Sequence, residues 1–217
     1  MLVVSCKLSV KRMRFIALTG VDGSGKSTQL EPLMVHLVKN GHKVAYFHAV
    51  EFSLANKITR FLKRDKIFEA GKEKAVTEAS VVSLILREKF LFIDFIRFHF
   101  WRRHLRLEGY DYILSDRSFY DSLINIEYLN LAQDSALVRF GVRFLSRFLP
   151  KADYPFFFSL NAPDIMGRSR IPEQGQVYLE NKLILFNARE EAWHLISLDA
   201  TKVEAEILQI ILTRIGA

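Results

Sequence analysis

The sequence predicts an α/β fold: a five-stranded parallel sheet with helices on both faces. Three observations carry this expectation. Short apolar runs alternate along the chain with longer stretches of helical spacing, the trace that βαβ units leave. The first run leads through clustered glycines straight into a helix. And 217 residues, 50% hydrophobic and 25% charged, suit one ordinary domain with one core, which disfavours disorder, collagen-like repeats or a small disulfide scaffold.

Residues 1–12 precede the first unit and carry Lys7, Lys11 and Arg12. They are read as a peripheral N-terminal extension, with Met13 an alternative start and residues 13–217 a single domain. Arg14 to Leu18 is the first strand. Gln29 to Lys39 has apolar spacing at Leu30, Leu33, Met34, Leu37 and Val38, and stops at Asn40-Gly41, a helix ending; Pro32 is placed early in it. Val44 to Phe47 is the second strand. From Leu54 to Leu107 the spacing is helical, two or three helices broken at Gly71. Tyr110 to Ser115, Phe156 to Leu160 and Leu195 to Leu198 are strands three to five, and Val203 to Ile215 is a closing amphipathic helix.

Thirty-one Lys and Arg against 24 Asp and Glu give a formal charge of +7, which favours acidic partners such as nucleotides, nucleic acid or anionic membrane surfaces. Cys6 is the only cysteine, so no intrachain disulfide can form. Apolar runs are cut by Arg87, Asp94 and Arg97 before they could span a bilayer, and no secretory segment is evident, so a cytoplasmic location without membrane contact is expected. The six histidines show no paired metal-ligand spacing. His48 alone, at the end of the second strand, is placed to reach a substrate. Between Arg87 and Arg106, phenylalanines alternate with arginines. Base stacking is one reading, but a helix packed on the sheet and on a second subunit is favoured, and nucleic acid is not an expected partner.

The strongest local signal is Gly20-Val21-Asp22-Gly23-Ser24-Gly25-Lys26-Ser27, a G-x-x-x-x-G-K-[ST] loop at a strand-to-helix turn. Glycines let backbone N–H groups converge on a phosphate, the helix N-terminus adds its positive dipole end, Lys26 reaches the β and γ oxygens, and Ser27 can ligate Mg²⁺. Such a loop says nucleoside triphosphate without saying where the phosphate goes. The base motif of switch GTPases, N-K-x-D, begins at Asn181-Lys182 but lacks its aspartate and lies in a helical stretch, so that match is read as accidental.

Phe15 to Gln29, with Asp22 inside the loop and Thr28 after it, resembles the opening of thymidylate kinases. Asp116-Arg117 at the end of the third strand resembles the family's D-R motif, and Asn161-Ala162-Pro163-Asp164, leading to Arg168 and Arg170, resembles its mobile lid. The resemblance implies a P-loop kinase fold with a helical lid at about 163–180, and transfer of the γ-phosphoryl of ATP, with Mg²⁺, to a nucleoside monophosphate such as dTMP in nucleotide biosynthesis. It also implies a homodimer. On this reading Gly20 through Thr28 bind ATP, Ser27 and Asp116 hold metal, and Lys26, Asp116, Arg117, Arg168 and Arg170 are catalytic, the last two as lid arginines, since Ser24 stands where another family type has a loop arginine. Asp22, Glu51, Arg97 and Arg117 line the acceptor site. The sequence departs from the pattern in two places: His48-Ala49-Val50-Glu51-Phe52 replaces R-E-P-G-G, and Asn125-Ile126 replaces Y-Q. Deoxynucleoside kinases share the glutamate after strand two and the Asp116-Arg117-Ser118 spelling, and are one alternative; a non-catalytic nucleotide-binding regulator of kinase-like fold is another.

Overall fold

The computed structural model describes residues 12–62, 79–167 and 175–217. Five strands, β1 (Arg14–Thr19), β2 (Val44–His48), β3 (Tyr112–Arg117), β4 (Tyr154–Ser159) and β5 (Ile196–Asp199), form one sheet in the order β2-β3-β1-β4-β5. All four pairings are parallel, with Arg14 opposite Tyr112 and Ile16 opposite Tyr154 setting the central register. The strands closest to the middle read as continuous apolar runs because both of their faces are covered: Phe15 to Leu18 and Phe156 to Phe158 are fully buried.

The connecting helices are α1 (Lys26–Lys39), α2 (Ala49–Phe52), α3 (Leu54–Leu62), α4 (Val81–Leu107), α5 (Phe119–Leu131), α6 (Ala136–Phe148), α7 (Ala162–Met166), α8 (Gln176–Trp193) and α9 (Glu204–Ile215). Helix α1 packs with α9, where the Gln29 amide donates to the Glu204 carbonyl at 2.8 Å, while α4, α5, α6 and α8 pack successively in a second group. Phenylalanines hold that group to the sheet. Phe98 of α4 lies 5.2 Å from Phe15, 4.6 Å from Phe47 and 5.2 Å from Phe119, and Phe157 of β4 stacks on Phe186 of α8 at 5.1 Å.

The five strands fall where the apolar runs place them, each shifted by one or two residues. Helix α1 starts three residues earlier than its apolar spacing suggests, so Pro32 stands mid-helix and deprives the Thr28 carbonyl of its usual donor. The described residues of the long stretch form α3 and α4, and Gly71 lies outside them. Met13 is fully buried and belongs to the core. Helices α5 and α6 are not among the elements the apolar spacing predicts. Each begins at a serine: Ser118 forms a capping box with Asp121, and the Ser135 hydroxyl accepts from Val138 N. No helix among the described residues is long and apolar enough to cross a membrane.

Candidate functional site

In a parallel sheet of this kind the carboxyl ends of all strands open on one edge, and the glycine loop follows β1 onto that edge. Two glycines are required by its geometry. A Cβ on Gly20, whose φ is +139°, would stand 3.0 Å from the Phe158 carbonyl, so the loop can lie against β4 only without a side chain there. Gly25, at φ +100°, is the left-handed residue that turns the loop into α1.

The loop closes on Lys26. Its ammonium donates to the carbonyls of Gly20 at 2.9 Å and Val21 at 2.7 Å, and it is 6% exposed. Burial lowers the Lys26 pKa, against the attraction of Asp121 and Asp22. Asp121, on the first turn of α5, accepts from Gly20 N at 3.3 Å and from Ser118 N at 2.9 Å. Burial raises its carboxyl, and the Lys26 charge opposes that. Asp121 therefore fixes both the loop backbone and the charge that the loop surrounds.

At the mouth of the loop two further pairs converge. The exposed Ser27 hydroxyl donates to Asp116 Oδ2 at 3.1 Å, and the Tyr46 hydroxyl donates to Asp116 Oδ1 at 2.8 Å. Beside them Arg117 donates to Asp22 Oδ1 at 2.7 Å. The other Asp22 oxygen accepts from the Tyr178 hydroxyl at 3.3 Å, and Lys182 donates to that hydroxyl. Burial works to raise the Asp22 carboxyl, but Arg117, Lys26, Lys182 and Tyr178 together outweigh it and hold it below the ordinary range. Lys182 is pushed down to about 8 by burial. Three acids (Asp22, Asp116 and Asp121), two tyrosines and three cations (Lys26, Arg117 and Lys182) thus share one small volume, with each cation set against a carboxylate until a polyanion competes for it. Ser27 and Asp116 supply hard oxygen donors, which fit Mg²⁺. No group of three metal-ligating side chains occurs among the described residues, so phosphate oxygens and water would complete such a shell.

Lys26, Ser27, Asp22, Asp116 and Arg117 are therefore brought together, and Asp121, Tyr46, Tyr178 and Lys182 join them. Other expected residues are not. Arg97 donates to the Phe52 carbonyl at 3.0 Å, pairs with Asp94 and lies 4.5 Å over the Phe52 ring, which spends its guanidinium on tying α4 to α2. Glu51 is exposed on α2, whose N-terminus is capped by His48. Arg168, Arg170 and the middle of the expected lid lie outside the described residues. Asn181 and Lys182 are inside α8, with Lys182 turned to Tyr178, so they form no base motif. A separate open pocket of about 390 Å³ lies at the ends of β4 and β5, lined by Ser159, Asn161, Ser197, Asp199 and Thr201 among others. Asp199 Oδ1 accepts from Thr201 N at 3.0 Å and from its hydroxyl at 2.6 Å; these bonds hold its carboxyl below the usual range.

Residues 3–55, which carry β1, the loop, α1 and β2, match a protein-family model described as the methylmalonyl-CoA mutase-associated GTPase MeaB. No curated protein matches the chain. The family match overturns the resemblance to thymidylate kinases, and with it four expectations: nucleoside monophosphate kinase activity, a place in nucleotide biosynthesis, a dTMP-like acceptor as partner, and ATP as the nucleotide. The physical reason is that the loop spelling reports a phosphate cradle and nothing beyond it. Acceptor recognition needs residues the chain lacks, such as R-E-P-G-G, or has committed elsewhere, as with Arg97. The α/β fold with its five-stranded parallel sheet agrees with a P-loop nucleoside triphosphatase.

Proposed function

We propose that this chain is a nucleotide-binding regulator of the GTPase type, one that acts on a partner protein rather than phosphorylating a small acceptor. The observation that carries the reading is that the segment holding the whole phosphate loop matches a GTPase described by its association with another protein. The loop amides and Lys26 would hold the β- and γ-phosphates, and Ser27 with Asp116 would hold Mg²⁺, whose charge neutralises the triphosphate.

Arg117 gives the site a way to report occupancy. It is paired with Asp22 at the loop mouth, and a γ-phosphate arriving there competes for its guanidinium. Asp22 is also the anchor of Tyr178 and Lys182 on α8, so its loss of Arg117 changes the charge balance at that helix. A local phosphate contact is thereby coupled to a helix more than 150 residues away in sequence.

For the base, the pocket at the ends of β4 and β5 favours guanine. A carboxylate held as an anion, as at Asp199, matches the adjacent N1–H and N2–H donors of guanine, whereas adenine offers it an acceptor beside a single amino donor. The test is titration with fluorescent mant-GTP and mant-ATP in the presence of Mg²⁺. Tighter binding of GTP is expected, with the preference reduced in Asp199→Ala and binding lost in Lys26→Met while the circular dichroism spectrum is retained. Binding of neither nucleotide would sink the proposal, and an equal affinity for both would remove guanine from it. The first partner to try is a methylmalonyl-CoA mutase, the protein named in the family description; its catalysis or protection from inactivation should then depend on the nucleotide added.

A further inference from the structure

The outer face of α4 and α6 takes no part in the nucleotide site. On α6, Leu137, Phe140, Phe144 and Phe148 recur at spacings of three and four and form one stripe, 44 to 68% exposed. Val138, Val142 and Leu145, a different face, already provide the helix with its buried contacts. A soluble helix gains nothing from a second apolar face left in water. Phe92 of α4 extends the stripe, its ring 6.2 Å from Phe144 and 6.0 Å from Phe148, and Ile93, Ile96 and Phe100 continue it, 41 to 65% exposed. Where the helices meet, a concave pocket of about 260 Å³ is lined by Phe92, Ile96, His99, Arg102, Phe148 and Pro150 among others. The Arg102 Nε is buried without a hydrogen-bond partner.

The charge around this apolar face is mainly positive. Arg139, Arg143 and Arg147 run beside the phenylalanine stripe at spacings of four, and α6 contains no acid. The second half of α4 adds Arg103 and Arg106, together with Arg97 and Arg102, which are paired with Asp94 and Asp153. An apolar face edged by cations is complementary to one edged by anions. We propose that the α4–α6 groove docks an amphipathic helix of a partner protein, with large apolar side chains on its inner face and acidic residues on its flanks. Two other occupants fit worse. A second copy paired by two-fold symmetry would set arginine rows against each other, and a lipid surface would be met by a convex stripe rather than by a groove with a pocket. The proposal deepens the regulatory reading by naming the chemistry of the partner, and in that sense rests on it.

The test uses the whole chain and a fluorescein-labelled helical peptide of about 20 residues, with Leu and Phe at positions i, i+3, i+4 and i+7 and Glu on both flanks. Fluorescence anisotropy should show saturable binding. It should weaken about tenfold or more in Phe140→Ser/Phe144→Ser, in Arg143→Glu/Arg147→Glu, and at high salt. A twin peptide with Lys in place of Glu should not bind. All four substituted positions are exposed, so circular dichroism should be unchanged. No binding, or equal binding of the Lys twin, overturns the proposal. So does a dimer in light scattering that the phenylalanine variant dissociates, or co-sedimentation with phosphatidylserine vesicles that the same variant abolishes. Mant-GTP binding on the same samples separates the two claims: its absence removes the regulatory reading, while the peptide titration alone decides the groove.

Discussion

Glu88 shows what one buried group can do to this molecule. It is 8% exposed on α4, its Oε1 has no hydrogen-bond partner, and burial pushes its carboxyl up to about 7 from an ordinary 4.5. Because the folded pKa lies above the unfolded one, the protonated acid is the form the fold tolerates. Stability from this group is intact below about pH 4.5 and is lost as pH rises through 7, since the unfolded chain releases the proton first. Replacing Glu88 by Gln should therefore raise the unfolding free energy at pH 8 relative to pH 5 by on the order of 2 kcal/mol compared with the parent chain. Urea unfolding of both proteins at the two pH values would measure it, and parallel pH profiles would show that Glu88 carries no such strain. The residues of the site differ in how far sequence could reveal them. Lys26 and Ser27 are fixed by their place in a local loop motif. Asp121 is identifiable only as the fourth residue of the Ser118 capping box, a role that says nothing of its second contact with Gly20.

The same carboxylate governs how two elements meet. Helix α6 passes α4 at Gly141, where a Cβ would overlap the Glu88 carboxyl. Alanine is worth about 0.5–1 kcal/mol over glycine inside a helix, so Gly141→Ala should stabilise the protein if nothing stood in its way. With Glu88 present the gain should vanish or reverse, and in a Glu88→Ala background it should return, giving a coupling of about 1 kcal/mol or more in a double-mutant cycle. Independent effects would mean the carboxyl simply swings aside. Element by element, legibility follows the number of faces a segment buries. The strands announced themselves because uninterrupted runs such as Phe156 to Phe158 are covered on both sides. Helix α5 buries Phe119, Tyr120, Leu123, Ile124, Ile126 and Leu129, which spread over more than half of its circumference, and α6 presents apolar residues on two faces; neither leaves the single stripe that marks a surface helix.

At the scale of the whole molecule, the site is assembled across sequence distances that no local pattern records: Asp22 meets Arg117 of β3 and Tyr178 of α8 because the parallel sheet brings every strand's carboxyl end to one edge. The same remoteness hides the acceptor chemistry from any local pattern. The loop is legible and shared by many phosphate binders, whereas what distinguishes them is placed by the fold. A ligand bound at such a junction should stabilise the entire domain, since β1, β3, α1, α5 and α8 all contribute to it. At a hundred times its dissociation constant a nucleotide adds about 2.7 kcal/mol to the unfolding free energy, which for a chain of this size is a rise in Tm of about 5–11 °C. GTP with Mg²⁺ should therefore raise Tm by that amount, chelation of the metal should remove most of the shift, and ATP at equal concentration should give less. Lys26→Met should melt near the parent's nucleotide-free temperature and ignore GTP, because the lysine's contacts with Gly20 and Val21 serve the loop rather than the core. Differential scanning calorimetry with inorganic triphosphate as the control separates phosphate recognition from base recognition: a shift with triphosphate as large as that with GTP would confine binding to the cradle and leave the pocket at Asp199 without a role in it.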